Sequence, residues 1–104
     1  MSTYYILRYH VVDDYVTKRT PYRPEHLALT DEFAKSGFLL LGGAVGDPPD
    51  SAVLVFRCPL HEIERFVELD PYVQNGVVER YTIQPWHVVT GVVNSSYLVG
   101  SSNV

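Results

Sequence analysis

The stretch FLLLGGAVGDPPDSAVLVFRC, residues 38–58, decides the fold. Residues 38–45 and 51–58 are apolar, β-branched runs of strand length. The GDPPD between them, 46–50, is turn chemistry. Two strands joined by so short a turn must be antiparallel neighbours, a hairpin. What flanks this hairpin on either side then sets the topology.

Upstream, residues 3–11, TYYILRYHV, read as a strand with Tyr5, Leu7, Tyr9 and Val11 on one face and Tyr4, Ile6, Arg8 and His10 on the other. Residues 12–22 are polar and read as a loop. A helix is predicted over 24–36. Pro24 suits its first turn, and Glu25 suits its positive end. Leu27, Thr30 and Ala34, with Leu29 and Phe33, repeat at helical spacing, and Gly37 caps the end.

Downstream, Pro59 opens a second helix whose apolar stripe is Leu60, Ile63, Phe66 and Val67. Pro71 ends or kinks it at Asp70, and QNG, 74–76, breaks the chain again. A long fourth strand is predicted over 77–89, VVERYTIQPWHVV, where Pro85 asks for a sheet edge or a bulge. The order β-α-β-β-α-β specifies an α+β, ferredoxin-like fold: an antiparallel four-stranded sheet with both helices on one face. Residues 1–89 form the single domain of this reading, and 90–104 a loosely ordered C-terminal tail. The face away from the helices needs a cover too if it is rich in Tyr, Leu and Val. A second copy of the chain supplies one, giving a homodimer.

The 104 residues suit one domain, and the formal net charge of −4 with scattered Lys and Arg argues against nucleic acid as a partner. The apolar runs are too short to span a bilayer, and no signal segment is evident, so no membrane is expected. Cys58 is the single cysteine. It allows no intrachain disulfide and no CxxC site, which makes a reducing cytoplasm the default compartment.

Two residues stand out chemically. His26 falls in the first turn of the first helix, where the dipole disfavours a cation, so a neutral imidazole there can act as a base. The plain alternative is an exposed helix-start histidine. Asp70 falls at a helix end, the negative end of the dipole, where a carboxylate is disfavoured without a partner. A histidine would serve, since Asp can orient an imidazole. The plain alternative is a turn-forming Asp-Pro pair. Arg23 can hold an anionic group or form a surface ion pair. Tyr72 can wall a pocket or pack in the core. His10, His61 and His87 show no metal-ligand spacing. Cys58 lacks an activating cation, and GGAVG, 42–46, is not a phosphate loop.

RPEHL at 23–27 and DPYVQNGV at 70–77, with the glycine after the first helix and the Pro-Trp pair of the last strand, resemble the YCII-like family of small bacterial proteins over about residues 4–89. The resemblance implies a dimeric α+β barrel and an active site built on a His–Asp pair, here His26 and Asp70. Arg23, Tyr72 and Gly76 match its motif positions and are expected at the substrate. A relative in this family removes chloride from a chlorinated hydroxyquinol, so lyase-like or dehydrochlorinase-like chemistry is implied. It needs no metal and no organic cofactor. The family often carries a longer segment between its second and third strands. Other readings remain: a non-catalytic domain that binds a small acid or only dimerises, and a cofactor-free monooxygenase of the same wider fold.

Overall fold

The hairpin closes more tightly than the turn chemistry predicts. In the computed structural model, which describes residues 3–93 and 96–97, strand β2 spans Leu39–Gly46 and β3 spans Pro49–Arg57. Only Asp47 and Pro48 lie between them. Gly46 takes φ 100°, a left-handed value that lets the chain reverse within two residues.

Strand β1, Tyr4–Val11, pairs antiparallel with β3 on one side and with β4, Val78–Trp86, on the other. The sheet order is β2-β3-β1-β4. β4 is an edge strand, which accommodates Pro85. It ends at Trp86, short of the predicted residue 89. The predicted loop at 12–22 holds a short helix, α1, Tyr15–Lys18, and a 3-10 turn, Thr20–Tyr22. They are too short for an apolar period to show in the sequence. They lead straight into α2, Arg23–Lys35.

Helix α3 spans Leu60–Leu69 and buries Ile63, Phe66 and Val67. Beyond Asp70 the chain forms another short helix, α4, Pro71–Gln74, instead of a plain turn. Gly76, at φ 73°, then turns the chain toward β4. In the tail, β5, Val92–Val93, pairs with β6, Ser96–Tyr97. The loose order predicted for the rest of 94–104 lies outside the described residues.

The core lies between the sheet and the helices. Leu7 and Tyr9 from β1 and Ala52, Leu54 and Phe56 from β3 point into it. Phe33, Phe56 and Phe66 meet with centroids 5.2–6.5 Å apart, in tilted and edge-on arrangements that favour aromatic pairs. The opposite sheet face carries Leu41, Val45 and Trp86, all exposed. Among the described residues, no helix is long and apolar enough to cross a membrane.

Candidate active site

Asp70 is fully buried, the only charged side chain in the core of the described residues. Such a carboxylate survives only when its oxygens are hydrogen-bonded. Three donors meet it. The Tyr9 hydroxyl donates to Oδ2 over 2.6 Å, the backbone N–H of Tyr72 donates to Oδ1 over 3.0 Å, and His26 Nδ1 lies 2.8 Å from Oδ1.

The local sequence explains the backbone part. Asp70 ends α3 and also caps the N-terminus of α4, with Pro71 in the first helical position. Its carboxylate therefore sits at the positive end of a new helical turn. The expectation of a carboxylate stranded at a negative helix end needs that correction: Pro71 stops one helix but starts the next.

An ionised carboxylate cannot donate, so the proton in the His26–Asp70 bond is carried by Nδ1. In neutral His26, Nε2 then holds a lone pair. The imidazole stacks on the Tyr72 ring, centroids 3.8 Å apart and planes 6° from parallel. Its side chain is 12 % exposed and borders the cleft, and Nε2 has no hydrogen-bond partner among the described residues. The exposed helix-start histidine is therefore not what the structure shows.

The cleft encloses about 550 Å³. One wall comes from α1 and α2: Tyr15, Arg19, Arg23, His26, Leu27 and Thr30. The other comes from the β2–β3 hairpin, with Leu39, Gly42, Ala44, Ala52 and Leu54. GGAVG thus builds a cleft wall. A Cβ on Gly42 would approach Leu54 Cγ to 3.1 Å, so the glycine keeps that wall flat.

Of the residues singled out in the sequence, the structure brings together His26, Asp70, Tyr72 and Arg23. The first three are in contact, and Arg23 borders the same cleft. Gly76 does not line the cleft; it serves the turn. The sequence gives no sign of Tyr9 at this site, because alternation groups it with Tyr5, Leu7 and Val11 without telling which face meets the helices. Burial, then the charge and hydrogen bond of Asp70, push the Tyr9 phenol far up, so it stays a donor. Arg19 was missed as well. Its guanidinium lies 4.9 Å from the centroid of the Tyr15 ring.

Cys58 lies away from this cleft, partly buried against the core. Burial, aided by Glu62, pushes its thiol up to about 11. His61 is exposed, 3.5 Å from Glu62. Among the described residues no cluster of three or more His, Cys, Asp or Glu could hold a metal ion.

Among solved structures, the chain resembles the 5-chloro-2-hydroxyhydroquinone dehydrochlorinase of Burkholderia phenoliruptrix AC1100, in complex with 2,5-dihydroxybenzoquinone. The TM-score is 0.67 at 17% identity, over 80% of this chain and 92% of that one. At that identity the likeness speaks for the fold. No curated protein matches the chain. The model of the YCII-related domain matches residues 2–87, which span both cleft walls, the buried aspartate and the sheet beneath them. On that match, together with the shared fold, the chain belongs to the YCII-related family.

Proposed function

We propose that the chain is a small acid/base enzyme of the lyase type, acting in the cytoplasm on a small hydroxylated ring. The observation that carries the reading is the buried Asp70 carboxylate, which holds His26 Nδ1–H at 2.8 Å and leaves Nε2 free beside the cleft. Nε2 takes a proton from a ring hydroxyl or ring carbon. The freed electron pair moves into the ring, and a leaving group departs with its bonding pair. In the dehydrochlorinase-like version this group is chloride. Asp70 stabilises the imidazolium formed at that step, as in other carboxylate–histidine pairs. The imidazolium then gives its proton to water, so the net change is loss of HCl. Arg23 and Tyr72 bind the substrate. None of these steps calls for a metal or an organic cofactor.

The same reading makes the protein a homodimer, with the exposed Leu41, Val45 and Trp86 of the open sheet face covered by a second copy.

Chloride release from chlorinated hydroxyhydroquinones tests the reaction. The wild-type chain should release chloride, and His26→Asn should slow release about 10²–10⁴-fold, the usual worth of a positioned acid/base group. Undiminished release by His26→Asn would overturn the mechanism. Binding without any release would leave a non-catalytic binding domain.

A further inference from the structure

Tyr72 is 1 % exposed, yet its hydroxyl is buried without a hydrogen-bond partner among the described residues. A buried hydroxyl left unpaired is costly, and such a group calls for an explanation. Its ring cannot easily swing away. Tyr15 meets it edge-on at 6.1 Å, and His26 stacks on its face. The hydroxyl is therefore held in place at the cleft without an acceptor.

Two cations border the same cleft. Arg19 and Arg23 line it together with Tyr72, and they partly offset the rise that burial causes in the Tyr72 phenol. Arg19 is further steadied by its position over the Tyr15 ring. Neither arginine forms an ion pair among the described residues. Asp31 also borders the cleft, but Lys35 pairs with it at 3.0 Å. The Asp70 carboxylate is occupied by its three donors. One end of the cleft thus presents hydrogen-bond donors and positive charge, while the hairpin wall is apolar and flattened by Gly42.

We infer that Arg19, Arg23 and the Tyr72 hydroxyl form an oxyanion corner, and that the cleft takes a small flat ring carrying an ionised oxygen, a phenolate or a carboxylate. This deepens the proposed function, on which it rests for placing substrate in this cleft. The phenol donates to the ionised oxygen and the guanidiniums neutralise it. A charge-assisted contact of this kind is stronger than a neutral one. A neutral ring of the same shape fills the space but leaves both cations uncompensated.

Calorimetric titration of the full-length chain with benzoate, 4-nitrophenolate and neutral benzamide tests the corner. At least one anion should bind about tenfold or more tighter than benzamide, in line with charged hydrogen bonds. The anion that binds tells carboxylate from phenolate. Arg19→Gln and Tyr72→Phe should each weaken it about tenfold and leave benzamide unchanged. Tyr72→Phe removes only the unpartnered hydroxyl, so the fold is kept. Equal affinity for benzamide, no binding of either anion, or indifference to both substitutions would overturn the inference. Anion binding that survives a failed chloride-release assay sinks the reaction and keeps the corner. Chloride release without anion preference does the reverse.

Discussion

Tyr9 Oη donates to Asp70 Oδ2 over 2.6 Å, joining the central strand to the junction of two helices 61 residues away. This bond occupies the second carboxylate oxygen, so that Oδ1 is left to His26 and the Tyr72 N–H. Tyr9→Phe should therefore cost about 2 kcal/mol, the penalty for a buried acceptor left short of a donor. Urea unfolding measures it. An unchanged midpoint would mean that the hydroxyl is not holding the carboxylate.

Two substitutions at Asp70 separate charge from shape. In Asp70→Asn the amide oxygen can still accept from His26 and Tyr72, and the Tyr9 hydroxyl can turn to accept from the amide N–H. The variant should fold, with about 1 kcal/mol or less lost, while chloride release falls about 10–100-fold because the imidazolium loses its counter-charge. Asp70→Ala removes the acceptor for all three donors and the α4 cap. It should cost about 3 kcal/mol or more, read as a fall in unfolding midpoint.

Alkaline pH should destabilise the protein. In the folded chain Tyr9 and Tyr72 are both raised above the ordinary tyrosine value, and Cys58 is raised from 9.0 to about 11. For groups raised on folding, the stabilisation is whole below the unfolded value and lost as pH climbs past it. The decline should start near pH 9 with Cys58 and steepen above about 10 as the unfolded tyrosines ionise. Urea midpoints across this range report it. In a tyrosinate absorbance titration, Tyr9 should ionise only with unfolding, and its step should vanish in Tyr9→Phe. A flat stability curve from pH 9 upward would contradict the burial of these groups.

The dimer has a direct test. Light scattering at micromolar concentration should give twice the chain mass. Leu41→Lys, which charges the exposed sheet face, should move it toward the monomer mass. A wild-type monomer would leave that face uncovered and remove the homodimer from the proposal.

The sheet was legible because its signals are local. The Pro-rich turn at 46–50 fixed the hairpin, and alternation grouped Tyr5, Leu7 and Tyr9 on one face of β1, which the structure turns toward the core. Pro59 and Pro71 marked the ends of α3 to within a residue. The meeting of His26 with Asp70 was expected only from RPEHL and DPYV taken together. Neither the Tyr9–Asp70 bond nor the place of Arg19 has a local signal. Both follow from strand-to-helix packing across long separations. The short helix α1 escaped notice because four residues are too few for a period.

Asp70 serves the architecture before it serves any substrate: it caps α4, anchors β1 and holds α2 through one imidazole. Selection for a folded chain alone would preserve it. In a relative that has lost its reaction, the aspartate can therefore persist as a fossil of construction. On the proposed function, His26, at the rim of the cleft, is the better marker for sorting active relatives from silent ones.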